Sequence, residues 1–276
     1  MDDPFKLSKT LGSARAKARE LASLRPAPGT ERASLHAHAF LRDHLPPLEK
    51  LQRALLHFLG EALPETQKLE RWAAGRNSPN PAFAARTATT FDRYHQQALA
   101  LKAALQEALR HLSDLRGLLA EDAAAMERDL AGVQQEAQRL IGDIAAKDKR
   151  VSDATLRVNF TSFVPLAKVI DEIVSLSQDG CFTEETLARA VQDLDAARKR
   201  EKSLRERHLA VSVALGGGNE LIGNLQALAN ATAILGGDLA NVRDDLRGMG
   251  ETPPACLLLR LAALRGSLTT LEAEAA

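Results

Sequence analysis

The chain has 276 residues, enough for one large domain or two small ones. Its 36 Lys and Arg balance its 36 Asp and Glu, and this zero net charge argues against a dedicated nucleic-acid binder, which must neutralise phosphates. Only 4% of residues are aromatic, so Ala, Leu, Glu, Arg and Gln set the character, and that composition favours helices joined along narrow seams.

Taken in chain order, residues 5 to 24 carry Phe5, Leu11, Leu21 and Leu24 among charges and predict a short amphipathic helix. Pro26, Pro28 and Gly29 end it. A second helical pattern runs through Leu35, Phe40, Leu41 and Leu45 and is broken or kinked at Pro46-Pro47. It resumes at Leu48 and is expected to stop at Gly60. Pro64 then opens another helix that passes Trp72 and ends near Gly75. Asn77 to Pro81 reads as a loop.

From Pro81 the pattern changes. Leu101, Leu105, Ala108, Leu112, Leu115, Leu119, Asp122, Met126, Leu130, Val133, Ala137, Leu140 and Ile144 recur at spacings of three and four. Only Asp122 interrupts the apolar series. Such a heptad-like seam predicts one helix over 82–149, about 100 Å long at 1.5 Å per residue, and an elongated molecule.

Between 150 and 183 the seam falters. Residues 156–176 hold the most apolar, β-branched patch of the chain, with a break expected near Phe163 before Pro165. Asp179-Gly180 marks a turn, and Thr183 is placed to cap the next helix. The three-and-four spacing returns in Leu187, Val191, Leu194, Ala197, Glu201 and Leu204. It continues in Leu221, Leu225, Leu228, Thr232, Leu235, Leu239, Val242 and Leu246. Gly248, Gly250 and Pro253-Pro254 close that helix. Leu257, Leu261, Leu264, Leu268 and Leu271 form a last one.

Gly216-Gly-Gly218 stands within this helical territory. A phosphate-binding loop would need a preceding strand and a following Lys-Ser or Lys-Thr, and neither is present. Two readings remain. One is a joint between two helices, with Asn219 capping the second. The other is a hinge, because three glycines each weaken a helix by about 1 kcal/mol relative to Ala.

No chemistry is legible elsewhere. The seven histidines, His36, His38, His44, His57, His95, His111 and His208, lack metal-ligand spacing and read as ordinary polar positions. Cys181 and Cys256 read as ordinary buried or half-buried thiols. No nucleophile has a recognisable base, and no cofactor motif occurs, so neither an enzyme nor a cofactor is expected. The basic run Arg198 to Arg207 could meet phosphates or an anionic membrane surface, but a solvated helix face beside acidic neighbours explains it as well. Met1 to Lys6 show no basic region followed by an apolar one, so no secretory signal is expected, and no run of about 18 apolar residues occurs. The chain is expected to be soluble and cytoplasmic as made, leaving the cell, if it does, without a conventional signal peptide.

The organisation is therefore all-α: an elongated antiparallel helical bundle with long coiled-coil-like helices. Short N-terminal helices occupy 1–80, a long rod 81–250, and a C-terminal helix 251–276. This layout resembles the α-helical pore-forming toxins of the cytolysin A, haemolysin BL and xenorhabdolysin type. The parts that match are the rod from Ala82 to Lys149, the apolar 156–176 segment as a candidate head, and the return helices over 183–247. The resemblance implies a non-enzymatic toxin component that meets a membrane surface or a protein partner, either a second component or another copy of itself. Phe160, Phe163, Val164, Val169, Ile170 and Ile173 would form the apolar head, and Gly216, Gly217 and Gly218 the hinge. Arg157, Asn159, Lys168, Asp171 and Glu172 suit a head that docks more than one that spans a bilayer. The competing reading is a coiled-coil adaptor acting only through protein partners.

Overall fold

The computed structural model describes residues 6–24, 31–75, 81–147, 170, 173–174, 185–248 and 254–276. Every element among them is a helix. In chain order these are α1 (Leu7–Ser23), α2 (Glu31–Ala39), a π-helical turn (Phe40–His44), α3 (Leu45–Ala74), α4 (Pro81–Lys147), α5 (Glu185–Arg247) and α6 (Pro254–Ala275). The all-α expectation holds for the described residues.

The chain condenses into two units that do not follow its order. Unit 1 takes Met1–Ser23, Ala33–Leu119 and Val213–Ala276, and unit 2 takes Leu24–Arg32 and Ala120–Ser212. The helices α4 and α5 contribute to both.

The core of unit 1 is leucine-rich. Leu105 on α4, Leu225 and Leu235 on α5, Leu261 and Leu268 on α6, and Leu55 and Leu59 on α3 are all essentially inaccessible. Edge-to-face rings of Phe58, Phe91 and Tyr94 add the aromatic part, with centroids 5.9–6.1 Å apart. The segments of α4 and α5 in this unit run antiparallel, since Asp92 meets Arg243 at 3.0 Å and His95 meets Gly236 at 2.8 Å. The Nδ1–H of His95 donates to the Gly236 carbonyl. Between α3 and α6, Gln52 Nε2 donates to the Ala275 carbonyl at 3.0 Å.

Two proline readings are corrected. At Pro46-Pro47 the chain does not break. Both prolines sit in the first turn of α3, where missing N–H groups are tolerated, and the π turn before them absorbs the change of register. The Leu45 N–H reaches back to the Phe40 carbonyl. Nor does a helix stop at Gly60 and restart at Pro64. The 30-residue α3 runs through both. An internal proline costs about 3 kcal/mol. Burying Leu55, Phe58, Leu59, Ala62 and Leu69 on either side returns roughly 2 kcal/mol for each large side chain. Gly60, whose carbonyl Pro64 cannot bond, is exposed.

The third correction concerns Gly216, Gly217 and Gly218. They do not join two helices, because α5 is one helix of 63 residues that passes through all three. Asn219 caps nothing there. Flanking core residues Val211, Leu221 and Leu225 are each 1% exposed or less, and their burial exceeds the glycine penalty.

Asp245 on α5 is a buried carboxylate of unit 1. One oxygen accepts from Arg260 Nη1 at 2.7 Å, while the other is buried without a protein partner. Burial holds its pKa above the ordinary 3.8 despite the pull of Arg260, and the charge of Asp244 adds to the rise. A carboxyl with a raised folded-state pKa binds its proton more tightly when folded, so acidification through that range stabilises the fold. The Tm of the wild type minus that of Asp245→Asn is therefore expected to increase as pH falls from 7 to about 4, and a thermal melt series across that range checks it.

Candidate functional site

Unit 2 carries the candidate head. Its long segments are again antiparallel: Glu127 meets His208 at 3.2 Å, and Gln134 meets Glu201 at 3.1 Å. Helix period explains the pairing. Every predicted seam position of α4, from Leu101 to Ile144, is buried or half-buried. Asp122 is among them at 8% exposure.

Polarity within the unit is graded. Glu201 is buried, and its carboxylate accepts from Gln134 Nε2 at 3.1 Å and from the Arg205 guanidinium at 3.0 and 2.8 Å. A buried carboxylate persists only when its lone pairs are met in this way. Toward Lys147 the buried α4 positions become wholly apolar: Val133, Ala137, Leu140, Ile141 and Ile144. Val191 and Leu194 face them from α5.

Into that apolar part the structure places Ile170 and Ile173, both with no solvent exposure. Two of the six predicted head residues are thus brought together and sequestered. Phe160, Phe163, Val164 and Val169 lie outside the described residues. Each fully buried Ile contributes about 1.5–3 kcal/mol, so exposing this pair costs roughly 3–6 kcal/mol.

Two residues of the basic run before the glycines pair with neighbouring acids. Lys199 pairs with Asp195 at 2.7 Å and Arg205 with Glu201 at 2.8 Å. The reading of a solvated helix face fits these two better than a phosphate site. The thiol of Cys256 is exposed and free, which corrects the expectation of a buried position. Cys181 lies outside the described residues.

A groove in unit 1 was not foreseen from sequence. It lies between α3 and α4, has a volume of about 590 Å³, and is lined by Leu51, Phe58 and Leu101 beside the small Ala54 and Ala104. Its only advance sign was the alanine spacing of four at Ala100, Ala104 and Ala108 on one helix. An adjoining recess of about 450 Å³ holds His44 and His111, whose rings are 6.0 Å apart. Among the described residues no group of His, Cys, Asp and Glu could hold a metal ion. No helix there is long and apolar enough to cross a membrane.

Replacing Ile173 with Ala removes three buried carbons from the apolar end. A loss of about 2–5 kcal/mol is expected in urea denaturation, with faster amide exchange at Leu194 than at Leu261 of the other unit.

No family model matches the chain, and no curated protein matches it by sequence. Solved structures do match. The soluble AhlC of the tripartite alpha-pore forming toxin AHL from Aeromonas hydrophila aligns with a TM-score of 0.73 at 16% identity, over 98% of this chain and 97% of that one. The pre-pore AhlB of the same toxin aligns with a TM-score of 0.61 at 12% identity, over 97% and 93%. The HblL1 toxin component of Bacillus cereus aligns with a TM-score of 0.55 at 12% identity, over 98% and 95%. From end to end, this chain has the fold of the components of α-helical pore-forming toxins.

Proposed function

We propose that the protein is a non-enzymatic component of a multi-component α-helical pore-forming toxin. In this reading it stores its apolar head within unit 2 and releases it onto a membrane surface or a partner subunit. The likeness to soluble AhlC over nearly the whole of both chains carries the reading. Buried Ile170 and Ile173 supply the chemistry. Their exposure is unfavourable in water, and a lipid interface or an apolar partner surface recovers the 3–6 kcal/mol involved.

Phe160, Phe163, Val164 and Val169 are proposed to belong to the same head on sequence grounds. The charged residues around them favour docking at the headgroup level, or onto a partner, over a full span. Gly216, Gly217 and Gly218 are proposed as the place where α5 bends when the head is released. They remain the weakest helical stretch of α5 even though it is continuous there.

Co-sedimentation with liposomes tests this, run with and without a protein encoded beside this one. Partner-dependent binding is expected, and it should be lost in the Phe163→Asp, Ile170→Asp double variant. A stable soluble oligomer that binds no liposome under either condition would overturn the proposal and leave a coiled-coil adaptor.

A further inference from the structure

Gly217 is unlike its two neighbours. A Cβ built on Gly216 or Gly218 would meet nothing within 4 Å. A Cβ on Gly217 would lie 2.6 Å from Cδ of Lys17, 3.2 Å from its Nζ and 3.4 Å from its Cε. Gly217 is buried, and what covers it is the methylene stem of a lysine on α1. The ammonium of Lys17 then reaches Glu220 one turn further along α5, at 3.7 Å.

The rest of α1 is built for the same seat. Its facing residues are small, Ala14 and Ala18, followed by Leu21. These three line an apolar cavity of about 50 Å³ together with Leu215, Gly218 and Leu221 of α5. Small residues on one helix and glycines on the other allow a close approach. Elsewhere α1 is tethered by the Arg15–Glu49 ion pair and by buried Leu7 and Leu11.

These contacts fall on the stretch of α5 least able to hold itself helical. Residues 210–218 carry no charge, make no ion pair along the helix and end in three glycines. We infer that α1 is a splint: by lying across Gly217 it keeps α5 helical through 213–220, and lifting α1 frees α5 to bend there. The inference rests on the proposed role of these glycines as a bend point, and it adds the element that controls the bend. The control is local, because α1 and residues 213–276 of α5 and α6 belong to one unit.

Hydrogen exchange followed by mass spectrometry on the full chain tests it. In Ala18→Glu, a charge is forced into the α1–α5 seat. Loss of protection in peptides from α1 reports that α1 has lifted. Exchange over 213–222 is then expected to rise at least tenfold, while 228–246 keeps its protection. Adding Gly216→Ala, Gly217→Ala and Gly218→Ala to the same variant should restore protection over 213–222 without restoring α1. If α1 exchanges freely while 213–222 stays as protected as in the wild type, the splint is refuted. Should Ala18→Glu unfold the whole unit, Lys17→Glu, which sets a like charge beside Glu220, provides the milder displacement read in the same way. The bend point itself fails separately. It falls if the Gly216→Ala, Gly218→Ala chain, whose added methyls meet nothing and leave the Lys17 seat on Gly217 untouched, keeps full partner-dependent liposome binding.

Discussion

Everything in this structure depends on apolar side chains that recur every three or four residues along α4 and α5. With so few aromatic residues the chain cannot build a thick globular core. It buries leucine along seams, and a seam stabilises in proportion to its length. That is why α4 reaches 67 residues and α5 reaches 63. It is also why helix-breaking residues are tolerated within elements. Pro64 in α3 and Gly216 to Gly218 in α5 each carry a local penalty of a few kcal/mol, and the continuous burial on either side exceeds it.

The two units apply this rule with different chemistry. Unit 1 is fixed by many layers and by directional contacts between helices, such as Arg243 to Asp92 and Ser267 to Asp238. Among the described residues, unit 2 has a buried ionic layer around Glu201, and toward Lys147 the buried positions around Ile170 and Ile173 are apolar. Apolar contacts are non-directional. A cluster of this kind can exchange its partners for lipid or another protein surface without leaving polar groups unsatisfied. An ionic layer cannot be exchanged so freely, because an unpaired buried carboxylate is strongly destabilising. The proposed storage and release of an apolar head would use the first kind of contact at the head and the second kind behind it.

The weak stretch of α5 is handled differently again. Its glycines are not a turn, and Gly217 among them is buried. That glycine is the bed for the stem of Lys17, so a stretch of low helix propensity is covered by a helix distant in sequence. Local preference and tertiary contact oppose each other here. Such opposition is what leaves a segment able to change state at modest cost.

The periodicity of α4, α5 and α6 was legible residue by residue. Every seam position named on α4 proves buried or half-buried, Asp122 included, because a sustained three-and-four spacing leaves only one face to bury. The all-α class and the near-complete absence of breaks over 81–147 followed from the same signal. Misread were the interruptions: a stop at Gly60, a start at Pro64 and a joint at Gly216 to Gly218. Propensity measures what a segment prefers alone, and these segments are held by neighbours that only the folded chain brings near. The groove beside Ala104 and the seat of Lys17 on Gly217 were invisible for the same reason. Sequence by itself determined which face of each helix is buried, since that is a property of spacing along one chain. Only the tertiary structure decided which faces meet, because that depends on contacts between residues two hundred or more positions apart, as Lys17 and Gly217 or Gln52 and Ala275 are.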